Sequence, residues 1–155
     1  MAGDQKIKIV STNRKARHNY HLSTTYDAGL VLMGSEIKSI RANRVNLGDS
    51  FIQEREGELW LVGAHIALYP QASVWGHSDP MRPRKLLLHK REIARILSTM
   101  RERGQTVVPT KLYLQNGRAK VEIALAKGKK LYDKRESIAK RDSERQIRRA
   151  LKEDL

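Results

Sequence analysis

The run from Asn13 to Tyr20 brings amide, guanidinium, ammonium, imidazole and phenol groups together within eight residues. This mixture suits a folded RNA, because cations pair with phosphates, amides and hydroxyls reach 2′-OH groups and base edges, and rings stack on bases. Taken alone, however, the run is more typical of a solvated basic loop. RNA binding is therefore a hypothesis that the rest of the sequence must support.

Groups that could support catalysis are dispersed along the chain. Asp27, Glu36 and Asp49 are carboxylates of the kind that a metal-dependent nuclease needs, but no residue that would activate a water molecule accompanies them. The five histidines lack the spacing of a metal site, and the chain has neither a phosphate-cradling glycine loop nor a cysteine. We predict no catalytic residue, no metal site and no cofactor.

The net charge of the chain points to a polyanionic partner. The 155 residues include 31 Lys and Arg against 17 Asp and Glu, which gives a formal charge of +14. Such an excess attracts nucleic acid through the release of condensed counterions, although a generally basic, solubilising surface is the alternative. Residues 127–155 carry a net charge of +5 and leave +9 for the first 126, so body and tail are both basic.

Hydropathy argues against a membrane location. The mean hydropathy is −0.61, and no apolar run approaches the 18 or so residues of a membrane-spanning helix. The N-terminal residues lack the charged-then-apolar order of a secretion signal. We therefore expect a cytoplasmic protein.

Apolar periodicity predicts a small antiparallel barrel or sandwich. Turn signals at Glu56-Gly57 and Asn116-Gly117 each predict a hairpin, while Tyr26–Met33 is ambiguous between helix and strand. The predicted strands are Lys6–Val10, Tyr20–Ser23, Glu36–Arg41, Phe51–Arg55, Glu58–Ala64, Thr106–Leu114 and Ala119–Ala126. Pro109 implies an edge or a bulge in its strand. Residues 13–19 and 70–83 are predicted to be loops.

One helix is predicted, and it lies between the two hairpins. Ile93, Ile96, Leu97 and Met100 recur at helical spacing across residues 89–103, and Gly104 suits the C-terminal cap. The predicted class is therefore mainly β with helices (α+β).

Residues 127–155 form a tail of different composition. Few large apolar residues occur there, and Lys134, Arg141, Arg145, Arg148 and Lys152 fall on one stripe of a helix. We expect the tail to be disordered in isolation and helical when anions neutralise the stripe. An ordinary solvated helix explains the pattern equally well.

Four motifs occur in a fixed order along the chain. They are residues 13–20, residues 34–41, residues 84–88, and residues 128–135 followed by Ile138, Lys140, Arg141 and Asp142. Together they resemble the SmpB family, the SsrA-binding proteins of bacterial trans-translation, and the resemblance extends from about Ile7 to Lys152.

This resemblance implies a fold and a function that the composition does not give. The fold is an oligonucleotide-binding (OB)-like β-barrel over residues 1–126, with a basic tail over residues 127–155 that becomes helical on the ribosome. The function is that of a non-catalytic adaptor, a monomer that binds the tRNA-like domain of tmRNA (SsrA RNA) in a 1:1 complex. It delivers that RNA to stalled 70S ribosomes, with the tail at the small-subunit rRNA of the decoding centre and in the empty mRNA channel.

The resemblance also implies two sets of RNA-contacting residues. On the body they are Asn13, Lys15, His18, Tyr20, Asp27, Glu36, Lys38, Arg41, Leu87 and Lys120. On the tail they are Asp133, Lys134, Arg135, Ile138, Lys140, Arg141, Arg145 and Arg148. The predicted strand places Glu36 and Lys38 on one face, and Leu87 is either a packing surface for a splayed base or an ordinary core residue.

Two departures from the family pattern limit these roles. Glu136 puts a negative charge where members of the family vary, so no base-stacking role is assigned there. Glu153 and Asp154 oppose phosphate contact at the far end of the tail. Two other functions remain open at this point, a ribosomal or ribosome-assembly protein and a small metal-dependent nuclease.

Overall fold

The computed structural model describes residues 6–69, 79–129 and 131–153. The largest element of the described part is a seven-stranded antiparallel sheet with the order β1-β8-β9-β2-β7-β5-β4, and β3 pairs separately with β6. The strands are β1 (Ile7–Thr12), β2 (Tyr20–Leu30), β3 (Val45–Asn46), β4 (Phe51–Arg55), β5 (Glu58–Val62), β6 (His65–Ile66), β7 (Arg84–Leu87), β8 (Thr106–Gln115) and β9 (Arg118–Gly128). The helices are α1 (Arg14–Asn19), α2 (Gly34–Arg41), α3 (Lys90–Arg103) and α4 (Leu131–Glu153). The mainly β, α+β class is confirmed.

Both predicted hairpins are confirmed. Glu56 and Gly57 join β4 to β5 with φ angles of 52° and 78°, and Asn116 and Gly117 join β8 to β9 with 51° and 80°. Two consecutive positive φ angles match the right-handed twist of the flanking strands. The second hairpin joins two of the longest strands, β8 with 10 residues and β9 with 11.

The core lies between the inner face of the sheet and α3. Leu112 of β8, Ile123 of β9 and Leu86 of β7 are almost fully buried there. Ile96 of α3 is fully buried against them, and the helix ends at Gly104 with a left-handed φ of 61°. The predicted helix and its cap are therefore confirmed.

Two predicted elements were wrong. Residues 14–19, predicted to be a loop, form α1, and residues 36–41, predicted to be a strand, lie in α2. The buried face of α2 consists of Ser35, Glu36, Ser39 and Ile40, which has helical spacing but is mainly polar. A search for apolar periodicity does not detect such a face.

Pro109 lies at a bulge, which was one of the two predicted alternatives. The pairing of β8 with β9 shifts register between Pro109 and Lys111, and β8 is flanked by β1 and β9. Closure of the sheet into an OB-like barrel stays a prediction. The loop predicted over 70–83 lies outside the described residues for 70–78.

Candidate nucleic-acid interface

A row of residues crosses the outer face of the sheet from β8 to β7. Tyr113 of β8 lies opposite Lys120 of β9. Lys120 lies opposite Gly29 of β2, which in turn lies opposite Leu87 of β7. Their sequence neighbours, such as Ala28 and Leu86, point into the core. Because side chains alternate between the two faces of a sheet, the row itself faces outward.

Gly29 leaves a gap on the outer face of the sheet, because it has no side chain. A Cβ atom at this position would lie 3.3 Å from the Cβ of Leu87, which is closer than ordinary van der Waals contact. Leu87 lies beside this gap with 53% of its surface exposed, an unusual state for a leucine on a central strand. The result is a shallow groove of about 340 Å³, lined by Asp27, Gly29, Leu87, Leu88, His89, Glu92 and Lys120.

Asp27 is held in place at the edge of this groove. Its Oδ1 accepts a hydrogen bond of 2.8 Å from the Tyr113 hydroxyl. Burial, this hydrogen bond and the charges of Asp27 and Glu122 raise the pKa of Tyr113, so the phenol stays protonated and keeps donating. Asp27 itself is exposed, and its carboxylate keeps acceptor capacity for a ligand.

The groove therefore joins three different kinds of contact. Leu87 offers an apolar surface for a base or ribose, Lys120 a cation for phosphate, and Asp27 an acceptor for a base amino group or a 2′-OH. These are the contacts through which proteins recognise folded RNA. Although they are distant in sequence, the structure brings these three predicted residues together.

Asn13 has a structural role. Only 3% of it is exposed, its side-chain oxygen accepts from the Ala16 amide, and its amide nitrogen donates to the carbonyl oxygen of Pro109 at 2.9 Å. It is thus the N-cap of α1 and ties that helix to the bulge in β8. With its polar atoms in use and its surface covered, Asn13 is not exposed for the predicted RNA contact in this conformation.

The other predicted residues of this run remain accessible. Lys15 is exposed and pairs with Asp49 at 3.1 Å, an exposed ion pair of the kind that stabilises a fold by at most about 1 kcal/mol. His18 and Tyr20 are half-buried. Tyr20 packs with Ala16, Val108 and Ala126 beneath α1, so part of its ring is already committed to the fold.

Glu36 lies in the interior, with no exposed surface. Its Oε1 accepts from the Met33 amide at 2.8 Å and from Arg82, while Oε2 accepts from the Arg84 Nε at 2.7 Å. Burial alone would raise the pKa of Glu36, but hydrogen bonds from Arg82, the Met33 amide and Arg84, together with the charge of Arg84, outweigh it and lower that pKa. Neither carboxylate oxygen of Glu36 is exposed in this conformation. The structure therefore does not support the expected direct contact of Glu36 with RNA.

Lys38 and Arg41 are on the exposed side of α2. Because residues two apart on a helix are separated by about 200°, the prediction that Glu36 and Lys38 share a face was wrong. Lys38 Nζ lies 5.4 Å from the centroid of the Tyr69 ring. Arg41 Nη2 donates to the carbonyl oxygen of Gly117 at 3.5 Å, next to the hairpin that leads to Lys120. Both cations are exposed and available to phosphate.

The tail is a helix from Leu131 to Glu153. The predicted tail residues whose side chains are described are all exposed, Ile138 with 43% of its surface. They are Arg135, Ile138, Lys140, Arg141, Arg145 and Arg148. The side chains of Asp133 and Lys134 lie outside the described part. Whether the tail is disordered before it meets RNA stays a prediction.

Sequence reasoning overlooked the residues that position this interface. Tyr113 orients Asp27, and Arg82 and Arg84 hold Glu36. Arg84 did carry a signal, since it opens the Arg84–Leu88 motif, but a fully buried arginine is not expected from the sequence.

The described residues contain neither a metal-binding cluster nor a membrane-spanning helix. No group of three or more His, Cys, Asp or Glu residues in the described part of the chain is placed to hold a metal ion. Among the helices described, none is long and apolar enough to cross a membrane.

Comparison with known proteins places these features in a family. The family described as SmpB protein matches residues 10–153. The SsrA-binding protein of Roseiflexus sp. (strain RS-1) is 54% identical over 97% of this chain and 96% of its own length. That of Ligilactobacillus salivarius (strain UCC118) is 53% identical over 95% of this chain and 94% of its own.

A solved structure shows the same relationship. It is described as "tmRNA-SmpB: a journey to the center of the bacterial ribosome", and its TM-score is 0.64 at 46% sequence identity. The match covers 77% of this chain and 84% of that one. Together with the family match over nearly the whole sequence, these likenesses show that the chain belongs to the SmpB family.

Proposed function

We propose that this chain is a non-catalytic, cytoplasmic adaptor that binds the tRNA-like domain of tmRNA and carries it to stalled ribosomes for trans-translation. Its relatives are SsrA-binding proteins, and its structural neighbour is tmRNA–SmpB at the bacterial ribosome. The observation that carries the proposal is the groove on the outer face, where Asp27, Leu87 and Lys120 meet.

The sheet and the tail helix α4 contact different RNAs in this proposal. The sheet presents a rigid groove for one folded RNA, with Lys38 and Arg41 as further cations on α2. Helix α4 extends roughly 35 Å and carries exposed cations along its length. Its charges suit the ribosomal RNA of the decoding centre and the empty mRNA channel.

Binding specificity is the first test. A gel shift compares the full chain with the tRNA-like domain of tmRNA, small-subunit rRNA fragments and an unrelated hairpin of equal length. We expect the tightest binding to the tRNA-like domain, as a 1:1 complex whose affinity falls as salt rises. Equal affinity for all three RNAs would instead favour a generic basic ribosomal or assembly protein.

Truncation after Lys130 is the second test. This variant keeps the whole sheet and loses α4, so we expect it to keep binding the tRNA-like domain, within about tenfold of the affinity of the full chain, and to give no tagging of stalled nascent chains. An equal loss of both activities would place the tail within the first RNA site. Incubation of the RNA with the protein and Mg²⁺ should give no cleavage product, and cleavage would favour the nuclease alternative.

A further inference from the structure

A second basic surface lies where α4 packs against α1. A groove of about 390 Å³ separates the two helices and is lined by Arg14, Arg17, His18, Lys140, Arg141 and Glu144. Four of these six residues carry a permanent positive charge, and Glu144 is the single carboxylate among them. Arg14 and Arg17 are absent from the RNA-contacting set implied by the family motifs.

The helical geometry explains why these side chains converge. Arg14, Arg17 and His18 are spaced i, i+3 and i+4, which places them on one face of α1. Lys140 and Glu144 are one turn apart on α4, and Arg141 follows Lys140. The opposing faces are close, because Arg141 Nη2 lies 3.4 Å from His18 Nδ1.

The groove keeps an excess of positive charge, because Glu144 is its single carboxylate against four cations. His18 brings no negative charge to Arg141. Within the described part of the chain, no carboxylate lies within ion-pair distance of Arg14, Arg17, Lys140 or Arg141. Like charges brought together in this way repel one another, so the contact between α1 and α4 is favoured when an anion enters the groove.

We propose that the groove between α1 and α4 binds a phosphodiester of the tmRNA backbone and that this binding holds the tail helix against the body. Guanidinium groups from both helices suit the task, because their planar donors pair with phosphate oxygens in a bidentate manner. This inference rests on the proposed function. Because one phosphate contacts both elements, RNA binding and tail docking promote each other to the same extent.

A spin-label distance measurement tests the proposal directly. The chain contains no cysteine, so Thr24→Cys and Ser143→Cys, both at exposed positions, give one label on the body and one on α4. The full-length labelled protein is measured alone, with the tRNA-like domain of tmRNA, and with inorganic phosphate at the same phosphate concentration. We expect a broad distance distribution that narrows with the RNA and stays broad with inorganic phosphate.

Charge-neutralising variants identify the groove as the cause. Arg17→Gln and Arg141→Gln should keep the distribution broad in the presence of RNA. Arg95 is exposed on α3, so Arg95→Gln removes the same charge at a different place. With RNA, the distance distribution of this variant should narrow as it does for the unsubstituted protein. An Arg95→Gln variant that behaves like the other two would overturn the proposal, because the effect would then follow net charge alone.

Affinities for the RNA supply an independent readout. Loss of a charge-assisted contact should weaken binding by about tenfold for either single variant. Since both arginines contact one phosphate, the double variant should lose little more than each single one, whereas independent contacts would multiply to about a hundredfold. A multiplicative loss, or narrowing with inorganic phosphate alone, refutes the shared RNA phosphate.

Failure of the proposed function is recognisable in the same samples. If the unsubstituted chain does not bind the tRNA-like domain, the proposed function fails and the phosphate clamp fails with it. If the chain binds that RNA tightly while the distance distribution stays broad, only the clamp is refuted.

Discussion

Replacement of Glu36 by Gln is the sharpest test of how this fold positions its RNA-binding face. The side chain keeps its shape but loses the charge that neutralises Arg84, and both residues are fully buried. Arg84 also donates to the carbonyl oxygens of Ala64 and Pro80, at 2.8 and 3.0 Å. The guanidinium is therefore tied to three parts of the chain and cannot easily swing to solvent.

The magnitude follows from this burial. Removal of one partner from a buried ion pair leaves an uncompensated charge and typically costs about 3–5 kcal/mol. For a domain of this length, each kcal/mol lowers the Tm by about 2–4 °C. We therefore expect Glu36→Gln to lower the Tm by about 6–20 °C, measured by circular dichroism at pH 7.

Glu54→Gln is the matched control. Glu54 pairs with Arg101 at 2.9 Å, but the side chains are 32% and 69% exposed. Solvent screening limits such a pair to at most about 1 kcal/mol, so the Tm should fall by no more than about 4 °C. Equal Tm losses in the two variants would refute the argument that burial gives the Glu36–Arg84 pair its importance.

The pH dependence of stability is a further test of the buried Glu36 carboxylate. Because the pKa of Glu36 in the folded state lies below its ordinary value of 4.5, its carboxylate stabilises the fold at pH values above 4.5. This contribution is lost as the pH falls from 4.5 through the folded-state pKa. The difference in unfolding free energy between the unsubstituted chain and Glu36→Gln should therefore shrink below pH 4.5 in urea titrations. A difference that grows on acidification would contradict the direction of the shift.

Three further substitutions probe the groove on the outer face. Leu87→Ala should leave the Tm within about 2 °C, because the side chain is 53% exposed, and should weaken binding to the tRNA-like domain about fivefold in a filter-binding assay. Lys120→Gln should reduce the slope of log K against log salt by about 1, and an unchanged slope would show that Lys120 meets no phosphate. Gly29→Val should displace Leu87, whose Cβ already lies 3.3 Å from the position of an added Cβ. Its RNA affinity should therefore fall at least as far as that of Leu87→Ala, and full retention would contradict the open floor of the groove.

The hairpins could be predicted from the sequence because their physics is local. Asn116-Gly117 and Glu56-Gly57 adopt two positive φ angles in succession, which few other pairs tolerate. The helix α3 was predictable because its apolar residues meet a core at helical spacing. In both cases a few neighbouring residues determine the conformation.

Helix α2 could not be predicted in this way because its buried face is built from polar groups. Glu36 is buried only because Arg84 and Arg82 meet it from about fifty residues further along the chain. The strand predicted over Glu36–Arg41 was therefore wrong, because a buried polar face that depends on distant arginines leaves no trace in the pattern of apolar residues. Asn13 is a similar case, since its partner, the carbonyl oxygen of Pro109, is 96 residues away.

The ion pair of Glu36 also explains how a buried residue can lie within an RNA-binding motif. Arg84 opens β7, and three residues later the same strand presents Leu87 on the opposite face. Glu36 lies in the first turn of α2, whose outer side presents Lys38 and Arg41. The buried ion pair therefore fixes the position of α2 relative to β7. It thereby also fixes the position of Lys38 and Arg41 relative to Leu87. We therefore expect Glu36 to affect RNA binding as a positioning residue, because it sets the spacing of exposed side chains while it stays buried itself.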